Sequence, residues 1–226
     1  MAISPLACKT ILSPNHYQGR THKITKITPH HMAGNLTIEQ CGAVFAPTSR
    51  QASSNYGIGT DGRIACYVDE NNAAWTSSSY TNDNQAVTIE VADTTEGVNS
   101  GSWAVSDAAW NSLVNLCVDI CQRNRIERLV YTGDATGNLT EHLMFAPTGC
   151  PGPYLHARMS KLAEEVNKRL EGDIVTEADM DKIAKKTVDE LLNRPVAVYG
   201  EKNIPFWQLV SWIYRYVKDM ITAKKK

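Results

Sequence analysis

Short runs of alternating apolar residues separated by amphipathic helical patterns fill the first 170 residues, and this limits the fold more than any other feature. In "AVTIEVA", Ala86 to Ala92, Val87, Ile89 and Val91 face one way while Thr88 and Glu90 face the other, the period of a strand. "ITKITPHH", Ile24 to His31, begins with the same alternation, and Pro29 ends or edges that strand. "YGIGTDGRIACYV" reads as a hairpin turning at Asp61-Gly62, and "RLVYTGD" as a brief buried strand entering a glycine-rich loop. Between them, Thr37-Ile-Glu-Gln40 has the capping-box pattern of a short helix that runs through Phe45 and is closed by Pro47. Ser106 caps a longer helix with the stripe Ala109, Leu113, Leu116, Cys117 and Ile120. Leu155, Met159, Leu162, Val166 and Leu170 mark another. Strands mixed with helices in this way predict an α/β or α+β domain rather than a bundle.

The remainder changes character. Thr176 starts a helix with Met180, Ile183, Ala184, Val188 and Leu191 on one face, and Asn193-Arg194-Pro195 ends it. The linker "PVAVYGEKNIP" leads to a last helix striped by Phe206, Leu209, Ile213, Tyr216 and Met220. The expected division is therefore a domain over residues 1–171 and a small C-terminal helical appendage over 172–226. Two helices bury little alone, so docking on the first domain, self-association into a homo-oligomer and cell-wall contact all stay open for them.

With 23 basic against 24 acidic residues the chain lacks the positive excess of a nucleic-acid binder, and Lys224 to Lys226 is its one basic run. No apolar stretch approaches the roughly 18 residues of a membrane span, so stable membrane insertion is not expected. The N-terminus shows no basic flank before an apolar run, which predicts a protein made and held in the cytoplasm. The six cysteines lack the dense spacing of a disulfide framework. Cys117 and Cys121, one helical turn apart, look like a metal pair but fit core packing better.

The segment "HLMFAPTGCPGPY" sets His142 and Cys150 eight residues apart, an imidazole and a soft sulfur. A third ligand must come from elsewhere. His30 ends a strand, where a rigid backbone can aim it; His31 points to the opposite side, so only one of the pair can share a point. His30, His142 and Cys150 with a fourth position left to water give the open coordination of a catalytic zinc, Zn2+.

"ITPHHMAGNLTIEQ", "SSNYGIGTDGRI", "AVTIEVAD" and "LTEHLMFAPTGCPGPYL" occur in that order. Together they resemble the zinc-dependent N-acetylmuramoyl-L-alanine amidases of the type 2 amidase and peptidoglycan-recognition superfamily, in particular the phage endolysin branch. The resemblance runs from about Ile24 to Leu155 and is weak beyond Glu171. It implies a central mixed β-sheet flanked by helices, a zinc ion on His30, His142 and Cys150, and bacterial peptidoglycan as partner. It further implies hydrolysis of the amide joining N-acetylmuramic acid to L-alanine of the stem peptide. From pattern alone Glu90 is a solvent-face glutamate; the resemblance makes it the catalytic acid/base. Thr148 stands where relatives carry lysine or threonine beside the developing oxyanion, and otherwise is a turn residue. Trp75 is expected to line the substrate groove, and Asn82 either contacts substrate or belongs to a helix cap. Tyr56 falls two positions from a tyrosine of some relatives and is read as core. The branch implies release to the wall through holin-type membrane holes. A non-catalytic peptidoglycan-binding module and a stem-peptide endopeptidase are the competing readings.

Overall fold

The computed structural model describes residues 2–172, 177–196 and 204–223. Two compact units divide the chain, Met1–Asp173 and Ile174–Lys226.

In the first unit, β1 (Lys9–Thr10) and β2 (His16–Tyr17) precede β3 (Lys26–His31) and α1 (Ile38–Phe45). The hairpin β4 (Tyr56–Ile58) and β5 (Ile64–Cys66) follows, then β6 (Ala73–Ala74), α2 (Tyr80–Gln85), β7 (Ala86–Val91) and α3 (Thr95–Ser100). The long α4 (Asp107–Asn124) and the successive α5 (Gly152–His156) and α6 (Met159–Gly172) complete it. Five strands form one sheet in the order β1-β5-β4-β7-β3. β3, β4 and β7 run parallel, β4 and β5 antiparallel, and β1 joins β5 in parallel, so the sheet is mixed.

The alternation of β7 sorts the two faces. Val87, Ile89 and Val91, with Ile27, Tyr56 and Ile58, pack against the buried stripe of α4 and against Leu155, Met159, Leu162 and Val166. Cys117 and Cys121 belong to that core. The other face carries Ala65 beneath Ile38, Cys41 and Phe45 of α1 and the Tyr67 ring. Gly57 of β4 sits here opposite Glu90, and a Cβ on it would come within 2.5 Å of the Tyr67 ring. The lone hydrogen at Gly57 is what lets Tyr67 cross the strand and donate to the Ile38 carbonyl, 2.7 Å.

Local signals act as their chemistry requires. Thr37 and Gln40 close a reciprocal capping box on α1, and Ser106 accepts from the Ala109 N–H to cap α4. Pro29 does not end β3 but lies within it, and β3 is the sheet's edge strand, where a missing N–H is tolerated. "RLVYTGD" forms no strand: the Asn167 side chain donates to the Leu129 carbonyl (2.9 Å) and accepts from its N–H (2.8 Å), so a helix amide satisfies this backbone in place of a ladder. Beyond Pro-Gly-Pro, the turn at Ala157–Arg158 splits the expected helix into α5 and α6.

The second unit holds α7 (Glu177–Asn193), the pair β8 (Pro195–Val196) and β9 (Ile204–Pro205), and α8 (Phe206–Ala223). Val188, Leu191, Phe206, Ile213 and Tyr216 are exposed. Thr176, residues 197–203 of the linker and Lys224 to Lys226 lie outside the described residues, as do the side chains of Met180, Ile183, Ala184 and Met220. No helix of the described residues is long and apolar enough to cross a membrane.

Candidate metal centre

His30 ends the buried part of β3, in register with Glu90 of β7. Registered residues of paired strands share a face, so both side chains leave the sheet on the side opposite the main core. His31 takes the other side, as alternation requires: its Nδ1 stands 3.2 Å from Asp93 Oδ2 and its ring packs 5.0 Å from that of Trp103.

The spacing of His142 and Cys150 is closed by a hydrogen bond. His142 opens a short 3-10 turn through Met144, and the Leu143 N–H donates to the Cys150 carbonyl at 3.1 Å. The intervening loop therefore returns Cys150 beside His142. Thr148 Oγ1 accepts from the Cys150 N–H, 3.2 Å.

The result is a three-donor cluster. Ligand atoms of His30, His142 and Cys150 all lie within 4.8 Å of one another, with His30 Nδ1 3.3 Å from Cys150 Sγ. A tetrahedral zinc with ordinary N and S bond lengths sets such a pair about 3.5 Å apart, so the donors fit the ion in type and spacing. Protonation supports the fit. Burial holds the His30 imidazole well below its usual range and lowers that of His142, which keeps both in the neutral form that binds metals. Burial, then the Glu90 charge, raises the Cys150 thiol, so a cation is needed to draw off its proton. His30 Nε2 is buried with no partner.

The cluster opens on a cavity of about 260 Å3 that also reaches Arg50, Trp75, Thr76, Glu90 and Thr148. Glu90 Oε2 is buried without a hydrogen-bond partner. Desolvation first, and the Asp93 charge second, push its carboxyl up to about 8, while Arg50 pulls the other way. A carboxyl so placed takes and returns a proton near neutral pH, the behaviour of a general base.

Of the seven site residues expected from sequence, six border this one cavity: His30, His142, Cys150, Glu90, Thr148 and Trp75. Asn82 does not reach it. Its amide donates to Thr28 Oγ1 (3.0 Å) and Ser77 Oγ (3.2 Å) and accepts from Thr140 Oγ1, which commits the side chain to a buried network behind β3. The residue is 3% exposed, so the expectation of substrate contact is corrected to a supporting role. The cap of α2 is Ser79. Tyr56 is fully buried and donates to Glu70. Arg50 was missed: a lone arginine at the end of a single 3-10 turn, Thr48–Arg50, carries no pattern, and only the fold brings it to the cavity of Glu90.

An α/β sheet that presents two imidazoles and a sulfur to one open point, beside a desolvated carboxyl, has the construction of a metallohydrolase. The model of the family described as N-acetylmuramoyl-L-alanine amidase matches residues 20–153, and the chain belongs to that family. Its class of reaction is accordingly amide hydrolysis and its substrate class peptidoglycan. Among solved structures it is similar to a selenomethionine derivative of AmpD, with 19% identity and a TM-score of 0.54 over 72% of this chain and 99% of that one. It is also similar to the Staphylococcus aureus hydrolase AmiA in complex with its ligand, with 15% identity and a TM-score of 0.52 over 78% and 85%. Drosophila peptidoglycan recognition protein SA matches at 15% identity and a TM-score of 0.50 over 67% and 90%. These likenesses concern the fold. Comparison with curated protein sequences gives no match.

Proposed function

We propose that the chain is a zinc-dependent N-acetylmuramoyl-L-alanine amidase that cleaves the amide between the lactyl group of N-acetylmuramic acid and L-alanine of the stem peptide. The observation that carries this reading is the convergence of His30, His142 and Cys150 in the cavity that holds the unpartnered Glu90 carboxyl. Zinc bound there supplies Lewis acidity, which makes water a nucleophile at neutral pH and polarises a carbonyl.

The remaining work falls to this chain's own groups. Glu90 accepts the proton of the attacking water and returns it to the departing amine of L-alanine. Thr148, whose Oγ1 already accepts from the Cys150 N–H, keeps its own hydroxyl hydrogen for the oxygen on which charge develops. Its hydroxyl is a neutral donor, so its share is smaller than an ammonium's. Trp75 forms part of the wall against which a substrate entering the cavity would rest. As a working role, the chain is a phage lysin that reaches the wall through holin-type holes, and the helices beyond residue 171 serve docking, self-association or wall contact.

The experiment is digestion of purified peptidoglycan by the zinc-loaded protein and by Glu90→Gln. Amidase action releases intact stem peptides with an L-alanine N-terminus and no new reducing ends, and the variant releases almost none. Binding without release supports the recognition-module reading; fragments cut inside the stem support the endopeptidase. Either outcome overturns the proposal.

A further inference from the structure

The last helix of the second unit carries an apolar face that the described residues of that unit leave uncovered. α8 begins where the Phe206 N–H donates to the Arg194 carbonyl at 3.0 Å, and it packs beside α7 and the β8–β9 pair. Ile213, Tyr214 and Tyr216 are nonetheless 55%, 68% and 67% exposed. Phe206, Trp207, Val210, Trp212 and Val217 are exposed as well.

At about 100° per residue, positions 206–217 of α8 sort into two arcs. Phe206, Val210, Ile213 and Val217 fall along one line, with Trp207 and Tyr214 on one flank and Leu209, Tyr216 and Trp212 on the other. The apolar arc from Trp212 to Trp207 covers about 220° at that period, and Ser211, Arg215 and Gln208 fill the remainder. This width decides what can cover it. A helix that docks on one partner, or pairs with a second copy, buries a stripe of about 100° or a narrower seam, which leaves Trp207 or Trp212 in water. A helix roughly 10–12 Å across that sinks about 5–10 Å into a bilayer interface keeps only a polar strip in water, which matches this arc. Trp207 and Trp212 stand at the two borders, the level of the headgroups, where an indole keeps its ring in the apolar layer and its N–H in the wet one. With 18 residues and Arg215 near its middle, α8 is not long and apolar enough to cross.

Charge selects the lipid. Residues 206–226 carry five lysines and arginines against Asp219 alone, whereas the rest of the chain carries 18 basic and 23 acidic residues. The cations Arg215, Lys218 and Lys224 to Lys226 thus gather in the same stretch of sequence as the apolar arc. A second copy of this segment repels it, and an anionic headgroup layer attracts it. A wall polymer offers anions but no apolar layer deep enough to take the arc. We propose that α8 is an interfacial membrane anchor that lies in the surface of an anionic phospholipid bilayer. The line of Phe206, Val210, Ile213 and Val217 then faces the acyl region, Trp207 and Trp212 sit among the headgroups, and Arg215 faces water. Membrane residence and amide hydrolysis are separate properties of the two units, so either can fail alone.

The test is sedimentation of the zinc-loaded full chain with vesicles of phosphatidylcholine and phosphatidylglycerol mixed at roughly 7:3. The parent partitions onto them about tenfold or more tightly than onto pure phosphatidylcholine, and salt at about 0.5 M erases most of that difference. Ile213→Glu weakens partition by about tenfold or more. Because Ile213 is more than half exposed, the variant keeps its circular dichroism and zinc content. Brominated lipid in the same vesicles quenches Trp207 and Trp212 and spares Trp75, Trp103 and Trp110 of the first unit, so Trp207→Phe combined with Trp212→Phe removes the quenching. No partition of the parent onto anionic vesicles, equal partition by Ile213→Glu, or quenching that survives the double tryptophan variant overturns the proposal. So does a dimer that dissociates in Ile213→Glu, which gives the face to a second copy, and so does retention on purified peptidoglycan that is lost in that variant, which gives it to the wall.

Discussion

Replacing Glu90 by glutamine sets stability against activity, and the two effects have opposite signs. Glu90 stands opposite Gly57 and His30 on the α1 side of the sheet, with one carboxyl oxygen out of reach of water and of any donor. Its carboxyl rises from the ordinary 4.5 to about 8, chiefly through desolvation. A carboxyl raised on folding is fully compatible with the native state below about pH 4.5, where it is protonated in both states. As pH climbs, the unfolded chain ionises first, and the folded state loses stability until the native carboxyl also ionises near pH 8. At about 1.4 kcal/mol per pH unit the ceiling is about 5 kcal/mol, and relaxation of the surroundings about the buried charge brings the expected difference to about 2–3 kcal/mol. In metal-free protein, Glu90→Gln should therefore match the parent at pH 4 to within a constant offset and gain about 2–3 kcal/mol over it by pH 8.5. Titrating groups remote from Glu90 are common to the two proteins and cancel in the difference, which leaves Glu90 and the groups coupled to its charge. Urea denaturation at a series of pH values measures it. A difference between the two proteins that stays flat with pH would refute the reasoning, because Glu90 would then be well solvated. In the zinc-loaded protein the same substitution should lower the hydrolysis rate by about 10²–10⁴-fold, the usual cost of losing a general base.

Other substitutions test separate links. Cys150→Ala should abolish stoichiometric zinc binding and activity while leaving the far-ultraviolet circular dichroism unchanged; retained zinc at one per chain would remove the sulfur from the ligand set. Chelation should act likewise, stopping hydrolysis without unfolding the chain, since the sheet and its two cores do not depend on the ion; loss of the folded signal on chelation would mark a structural site. Gly57→Ala forces a methyl group into the Tyr67 ring and its bond to the Ile38 carbonyl, and should cost about 2–3 kcal/mol of stability by denaturation; a neutral result would mean that face is loosely packed. Arg123→Met removes both guanidinium contacts to the buried Glu70, 2.7 and 2.8 Å, and should destabilise by about 2–3 kcal/mol, less than for a fully buried pair because Arg123 is partly solvated; Glu70→Gln in the same background should recover part of the loss.

What was legible in the sequence follows from the range of the interactions involved. The faces of β7, the capping box of α1 and the Ser106 cap of α4 are written within a few residues, and each is found where the pattern put it. His142 and Cys150 were readable as a pair because one short loop joins them. Bringing His30 to them needed the resemblance, since the contact to Cys150 spans 120 residues. Asn82 was misread for the opposite reason. Within "YTNDNQ" it looks like a surface polar residue, and its partners Thr28 and Thr140 lie 54 and 58 residues away. The lost strand at "RLVYTGD" has the same origin: Asn167, 38 residues on, takes over the Leu129 backbone groups. Arg50 left no trace in any periodicity, because it sits on a single 3-10 turn.

The central claim is that two imidazoles and one sulfur of this chain hold a zinc ion whose remaining position is open to solvent. X-ray absorption at the zinc edge of the purified protein measures that shell directly. The account predicts one sulfur at about 2.3 Å, two imidazole nitrogens at about 2.0–2.1 Å and one exchangeable oxygen, with the sulfur contribution lost in Cys150→Ala. A shell without sulfur, or one closed by a fourth protein ligand, would contradict it.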